Sequence, residues 1–299
     1  MTDPRRTPPQ PLPPTPPLSL AVALKGAGWH PAAAREAGGS VVPWVDQVRE
    51  AQRGLLDFAT IEDADAMVVA ERVAALTRRV GIVAVQATLG TAPLRMAQAI
   101  GRLDVLSGGR CGWLVHAGVV ADDWARAADH VARVRRIWEG AMAEDQAQPV
   151  VVAGARDGQA CARAARAADV LLLSAADAGQ LAALLPQAAG RHAFVEVAVV
   201  LEPTEGAARE RLARLDALAP ATAPPGASVF AGTPAQLAGV LCDWRAAGAT
   251  GVRLHPALTA RDLPLISRTL VPELQARGAF RTAYEGGTLR DHLGLDARR

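Results

Sequence analysis

Residues 80–115, VGIVAVQATLGTAPLRMAQAIGRLDVLSGGRCGWLV, contain the pattern that decides the fold of this chain. Apolar runs at 80–87 and 111–115 are typical of parallel strands that are covered on both faces. Between them, residues 93–106 carry apolar side chains at helical spacing, and Gly108 and Gly109 follow as a helix C-terminal stop. The segment therefore predicts a strand, a helix and a second strand of a parallel sheet.

The same alternation extends along the rest of the chain. Six further apolar runs predict strands at 18–24, 55–61, 149–153, 170–173, 193–201 and 251–254. The segments between them carry helical periodicity; in 124–138 one stripe consists of Ala127, Val131, Val134 and Trp138. Eight strands with intervening helices predict one α/β domain, a (β/α)8 TIM barrel, over residues 18–299. A doubly wound sheet is the alternative, although it normally uses fewer strands in this length.

The composition excludes several classes of protein. The formal net charge of the 299 residues is +2, which argues against a general nucleic-acid binder or an acidic-membrane sensor. Three cysteines without a C-x-x-C pair exclude a disulfide framework and a common zinc motif, and they suit a reducing compartment. No apolar run reaches the length of a membrane span, and the N-terminus has no apolar core of a signal peptide. We therefore expect a cytoplasmic protein without a membrane partner.

The first 17 residues differ from the remainder. They contain eight prolines, and this composition predicts a disordered, Pro-rich tail over residues 1–17.

Several stretches of the chain resemble one family. They are GAGWHP at 26–31, RGLLDFATIED at 53–63, LDVLSGGRCGW at 103–113, VFAGTP at 229–234 and the long block from 271 to 295. They are similar to segments of the bacterial luciferase-like, flavin-dependent monooxygenases, in particular the nitrilotriacetate and dibenzothiophene-sulfone monooxygenase branch. Members of that family are usually longer and carry extra segments after the second strand and between the fourth and fifth strands. The resemblance therefore implies a barrel with shortened loops.

The resemblance also implies an activity. Enzymes of this kind use reduced FMN, supplied by a separate flavin reductase, to activate O2 and oxygenate a small organic compound. One branch of the superfamily uses the deazaflavin F420 instead, so F420 is the alternative cofactor. A degenerate barrel that serves as a binding or partner subunit is a further alternative. Barrels of this family often form homodimers.

The resemblance suggests cofactor-binding residues at the carboxyl ends of the strands, where the active site of a TIM barrel lies. Asp63 corresponds to an acid at the flavin edge or caps the following helix, and Thr88 hydrogen-bonds the ring or stabilises its turn. Gly154 and Arg156 lie in a turn that would bind the FMN phosphate, unless Asp157 simply caps the next helix. Where the family has His and Tyr, this chain has Val120 and Trp124; Trp124 would stack on the flavin or pack in the core.

His30 and His116 follow the first and fourth predicted strands, and we expect both at the barrel mouth. A histidine there would exchange protons with a bound molecule, although an isolated histidine is more often structural. Arg281, Tyr284 and Arg290 belong to the C-terminal block and suggest docking of the C-terminal segment rather than catalysis. The sequence shows no Gly-x-Ser-x-Gly or P-loop motif and no clustered metal ligands, which disfavours hydrolases, NTP-using enzymes and a metal site.

Overall fold

The computed structural model describes residues 16–39, 41–63, 65–116, 121–141, 147–155 and 157–296. Nine strands form one parallel sheet: β1 (Ser19–Leu24), β2 (Phe58–Ile61), β3 (Gly81–Ala87), β4 (Cys111–His116), β5 (Val150–Ala155), β6 (Val170–Leu173), β7 (His192–Leu201), β8 (Ser228–Gly232) and β9 (Gly251–Pro256). Strands β1 to β6 pair in sequence, β6 pairs with β7, β7 with β9, and β9 returns to β1. The chain is therefore a closed eight-stranded (β/α)8 barrel, as the sequence predicts.

All eight predicted strands form the barrel wall, and β8 is an additional strand. One edge of β7 pairs with two strands in turn. Its first residues, His192–Val195, pair with β6, and its last residues, Val197–Leu201, pair with β8. The side chains of β8 are largely half-buried or exposed, so it lacks the continuous apolar run that identifies the other strands. Its pairing is thus determined by the unusual length of β7, which has 10 residues.

Helices surround this barrel. They are α1 (Ala33–Glu36), α2 (Trp44–Arg53), α3 (Ala66–Leu76), α4 (Pro93–Ser107), α5 (Ala121–Ala141), α6 (Gly158–Ala164), α7 (Ala178–Leu184), α8 (Glu205–Leu218), α9 (Pro234–Ala246), α10 (Thr259–Leu265), α11 (Val271–Ala276) and α12 (Leu289–His292). A 3-10 turn (Leu185–Ala188) follows α7 and leads towards β7, and a π-helical turn (Ile266–Leu270) links α10 to α11. None of the helices in the described ranges is long and apolar enough to cross a membrane.

Local sequence signals explain where several elements begin and end. The predicted stripe of α5 is buried, with Ala127, Val131 and Val134 at 0% exposure, and α4 ends at Gly108, whose φ is +66°. The prediction was wrong for the start of the second strand. Leu55 has a φ of +56°, a left-handed turn conformation that a strand does not allow, so β2 starts only at Phe58.

The outward-facing side chains of the strands and the inner faces of the helices form the main hydrophobic core. A second apolar cluster fills the amino-terminal half of the barrel lumen and includes Phe58, Phe194, Leu289 and Leu293. Of the predicted Pro-rich tail, residues 1–15 lie outside the described residues.

Candidate active site at the carboxyl end of the barrel

The amino-terminal end of the lumen is closed by tight packing. A side chain at Gly251 would meet the Phe194 ring at 2.5 Å, and one at Gly112 would meet Val83 at 2.8 Å. Leu289 of α12 is fully buried beneath the strands and belongs to the same cluster. Water and ligands are therefore excluded from this end, which leaves the carboxyl end of the strands as the place for a site.

We call the packed residues Phe58, Phe194 and Leu289 the apolar plug. Above it lies a group of polar side chains that we call the polar floor: Thr60, Glu62, Glu196, Arg253 and His255. Side chains alternate along a strand, so Thr60 and Glu196, two residues after the plug residues Phe58 and Phe194, also face the lumen. Arg253 follows Gly251 in the same way. Thr60, Glu196, Arg253 and His255 are at most 5% exposed, and the Glu62 side chain is 24% exposed.

Arg253 connects the two carboxylates of the floor. Its Nε and Nη2 donate to Oε2 and Oε1 of Glu196 at 2.9 and 2.7 Å, a bidentate pair. Its Nη1 donates to Oε1 of Glu62 at 2.7 Å and to the Thr60 hydroxyl at 3.0 Å. The Thr60 hydroxyl donates in turn to the same Glu62 oxygen, at 3.0 Å. Burial of these charges is tolerated because each is paired.

The second partner of Glu196 is His255, whose Nε2 lies 2.6 Å from Oε2. Burial alone would raise the pKa of Glu196, but the charge of Arg253, the nearby His255 and their hydrogen bonds outweigh it and lower this pKa to about 2. Burial likewise opposes the charge of Arg253, and Glu196 and Glu62 more than compensate, so the pKa of Arg253 is raised. Glu196 is therefore an ionised, acceptor-only group at working pH.

Four of the sequence-predicted site residues lie along one side of the barrel mouth. Thr88 follows β3, and its backbone N–H donates to the carbonyl of His116, the last residue of β4, at 3.3 Å. Gly154 lies on β5 next to the end of β4, and Asp63 follows β2. His116 and Asp63 are exposed, whereas Thr88 is fully buried and its hydroxyl has no hydrogen-bond partner among the described residues. Within the described residues, the Thr88 hydroxyl is thus a buried polar group without a partner at this end of the barrel.

Gly154 borders open space. A side chain built at this position meets nothing within 4 Å, in contrast to the crowded glycines of the amino-terminal end. Asp63 accepts the backbone N–H of Asp65 at 3.3 Å, just before α3 begins, so its carboxylate also serves the turn into that helix.

Two predicted residues point away from the lumen. His30 is 1% exposed; its Nε2 contacts Asp216 on α8 at 3.1 Å, and its Nδ1 accepts the Ala32 N–H at 3.2 Å. Both ring nitrogens are therefore bound to protein atoms, which corrects the expectation that His30 serves the mouth. Trp124 packs against the hydrophobic core between sheet and helices, the packing alternative that the sequence left open. Arg156 and Val120 lie outside the described residues.

The turn after β5 is capped by an acid. Asp157 accepts the backbone N–H of Ala160 at 2.8 Å and is the N-cap of α6. A carboxylate at this helix end competes with a phosphate for the same N–H groups. This geometry corresponds to the capping alternative that the sequence left open.

The C-terminal block docks on the amino-terminal side of the barrel. Arg281 pairs with the fully buried Asp57, which also accepts the Leu20 N–H at 2.7 Å, and the Tyr284 hydroxyl donates to the Leu56 carbonyl at 2.8 Å. Arg290 is buried in this region and donates to the Asp296 carbonyl at 2.7 Å. These residues therefore fasten the C-terminal segment and lie far from the mouth.

The polar floor was missed by the sequence reasoning, although a signal was present. Glu196 interrupts an apolar strand, and Arg253 and His255 alternate with apolar residues in another. A charged residue in a buried parallel strand needs a partner of opposite charge, so these strands predict mutual pairing. Only the closure of the barrel shows that Thr60 and Glu62 complete the group. Within the described residues, no cluster of three or more histidine, cysteine or acidic side chains has the geometry of a metal site.

A closed parallel barrel with a tightly packed amino-terminal end and polar side chains towards the carboxyl end is a TIM barrel, a fold whose active sites lie at the carboxyl end of the strands. No family model matches the chain. The chain is 37% identical over 118 residues to nitrilotriacetate monooxygenase component A from Aminobacter aminovorans, and 42% identical over 72 residues to N-acetyl-S-(2-succino)cysteine monooxygenase from Bacillus subtilis (strain 168). These matches cover 39% and 24% of the chain, and only 25% and 16% of the relatives.

Solved structures are similar over most of the chain. EDTA monooxygenase from Chelativorans sp. BNC1 superposes with a TM-score of 0.82 at 18% identity, over 95% of this chain and 99% of that one. A riboflavin lyase solved with modified FMN and riboflavin has a TM-score of 0.79 at 18% identity, over 94% and 97% of the two chains. An F420-dependent secondary alcohol dehydrogenase has a TM-score of 0.66 at 13% identity, over 86% and 99%. The chain is therefore similar in segments to two monooxygenases, and it shares the barrel fold of these solved structures.

Proposed function

We propose that the protein is an FMN-dependent monooxygenase that oxygenates a small organic compound with O2 and receives reduced FMN from a separate flavin reductase. The observation that carries this proposal is the 118-residue similarity to component A of nitrilotriacetate monooxygenase. The name of that relative, component A, indicates a multi-component system. In this chain the similar segment belongs to a barrel with polar side chains towards its carboxyl end.

The residues of the mouth fit the ring system of a flavin. The buried Thr88 hydroxyl has no partner among the described residues and would hydrogen-bond a polar edge of the ring. The open space at Gly154 leaves room for a flat group beside β5. Asp157 disfavours a phosphate at the start of α6, so the fit concerns the ring rather than the phosphate.

Reduced FMN would supply the chemistry of O2 activation when bound. The residues of this chain would bind the flavin, orient the substrate and exclude water from the site. The apolar plug of Phe58, Phe194 and Leu289 excludes water from below, and the polar floor orients the substrate from the same side. His116, exposed at the end of β4, is placed to exchange a proton with a group bound in the mouth.

Titration of the purified protein with oxidised FMN, anaerobically reduced FMN and F420, followed by fluorescence or calorimetry, tests the proposal. We expect saturable binding of reduced FMN, and a loss of about fivefold to tenfold in affinity in Thr88→Val, because the variant lacks one hydrogen bond to the ligand. Thr91→Val, which removes an exposed hydroxyl from the same loop, is the matched control and should bind like the wild type. The absence of saturable binding of either flavin would refute the proposal.

Two alternatives have observations in their favour. The similarity to an F420-dependent dehydrogenase favours F420 as the cofactor, and tighter binding of F420 than of reduced FMN would select it. The acid cap at α6 favours a barrel that no longer binds a flavin and serves as a binding or partner subunit. O2 consumption that depends on both a flavin reductase and this protein would exclude the second alternative.

A further inference from the structure

The free atoms of the polar floor indicate which chemical group a ligand brings to it. Glu62 Oε1 accepts from Arg253 and Thr60, but its Oε2 has no partner among the described residues. Glu62 is also the most accessible member of the floor, with 24% of its side chain exposed. One carboxylate oxygen at the edge of the buried network is therefore available as an acceptor.

His255 offers a second acceptor. Glu196 is ionised and can only accept, so the short contact with His255 requires that Nε2 carries the hydrogen. In the neutral imidazole, Nδ1 then has a lone pair, and it has no partner among the described residues. The side chain is 4% exposed, so this unpartnered nitrogen lies inside the barrel.

Most donors of the floor are already occupied. Four of the five N–H groups of Arg253 bind Glu196, Glu62 and Thr60, and the Thr60 hydroxyl donates to Glu62. Two carboxylates, those of Glu196 and Glu62, therefore face the single guanidinium of Arg253. On the neighbouring strands β3 and β4, the lumen is apolar at Val85 and Leu114.

We propose that the polar floor is the binding site for the amino group of a substrate, with Glu62 Oε2 and His255 Nδ1 accepting its N–H groups. The substrate is then an organic amine whose apolar part lies against Val85 and Leu114. This inference rests on the proposed function only in taking the lumen as the substrate site. The binding itself needs neither flavin nor O2.

The test uses three probes of similar size, benzylamine, benzyl alcohol and benzoate, in calorimetric titrations of the full-length protein at pH 8. We expect benzylamine to bind about tenfold or more tightly than benzoate, because a charge-assisted hydrogen bond replaces repulsion. Glu62→Gln should weaken benzylamine about tenfold and change benzyl alcohol little. Glu71→Gln is the matched control, since Glu71 also pairs with one arginine and is 28% exposed, but it lies on α3 outside the barrel.

A second measurement does not depend on a folded variant. In nitrogen NMR of the wild type at pH 8, His255 should carry its hydrogen on Nε2, and benzylamine should shift the Nδ1 signal. Benzoate binding as tight as benzylamine, no saturable benzylamine binding, or a hydrogen on Nδ1 would overturn the inference. If benzylamine does not bind but reduced FMN does, the amine site is refuted and the proposed function is retained. If benzylamine binds but neither flavin does, the amine site is retained and the proposed function is refuted.

Discussion

At the scale of single residues, the lumen is defined by a few buried charges that satisfy one another. Glu196 accepts two bonds from Arg253 and one from His255, and Arg253 extends to Glu62 and Thr60. Such a network gains little over an apolar core, but it is costly to break, since a single substitution leaves an unpaired charge in the interior.

Arg253→Met should therefore destabilise the protein strongly. We expect a decrease of about 3–5 kcal/mol in the free energy of unfolding, because Glu196 remains buried without its cation. Urea or guanidinium denaturation measures this change. Arg102→Met is the matched control: its pair with Glu71 lies at the surface, where such pairs contribute about 0–1 kcal/mol. Equal losses in the two variants would contradict the assignment of a buried network.

His292 links stability to pH. It is 7% exposed, and burial, with the nearby charge of Arg281, lowers its pKa to about 4. The unfolded chain takes up this proton near pH 6.5, but the folded protein does not until about pH 4. This histidine therefore removes stability as the pH falls from 6.5 to 4.

We expect His292→Phe, which keeps an aromatic ring and cannot protonate, to gain stability relative to the wild type on acidification. The difference in unfolding free energy between the two proteins should grow by roughly 2–3 kcal/mol from pH 7 to pH 4.5. Denaturant titrations at both pH values measure it. A pH-independent difference would show that His292 protonates equally well in the folded state.

At the scale of elements, short segments at the chain's C-terminal end close the barrel. The helix α12 has only four residues, and a capping box of Thr288 and Asp291 starts it. Leu289 projects from it into the apolar plug, while Arg281 and Tyr284 hold the preceding segment to Asp57 and Leu56. The plug thus depends on a helix that is too short to be stable by itself.

Leu289→Ala should cost about 2–5 kcal/mol of unfolding free energy, because it leaves a cavity in a tightly packed end of the lumen. Leu218→Ala is the control, since Leu218 is 44% exposed at the end of α8 and should change stability by about 0.5 kcal/mol or less. Thermal and denaturant unfolding measure both. A small effect at Leu289 would mean that α12 does not close the barrel.

At the scale of the whole molecule, the two ends of the lumen differ in packing. Side chains at Gly112 and Gly251 would collide with their neighbours, whereas one at Gly154 would enter open space. The amino-terminal half therefore supports the fold, and the carboxyl half is free to hold a ligand.

Gly154→Val tests this division of the barrel. The variant should fold with a Tm close to that of the wild type, because a Cβ at this position meets no described atom within 4 Å, yet it should bind reduced FMN or benzylamine at least about tenfold more weakly. Gly112→Val should instead lower the Tm markedly, since its side chain has no room. Unchanged ligand binding in Gly154→Val would place the ligand elsewhere.

The sequence by itself determined the eight barrel strands, the α5 stripe and the stop at Gly108, because continuous apolar runs and helical periodicity are local properties. It also placed Thr88, His116 and Gly154 at the mouth, because they lie at the carboxyl ends of predicted strands, and in a parallel barrel all of these ends lie on one side. Only the tertiary structure showed that His30 turns to Asp216, that β8 pairs with the end of β7, and that Glu196, Arg253 and Glu62 meet. These contacts join residues from 31 to 191 positions apart in the sequence, and the ring closure that brings them together is a property of the whole barrel.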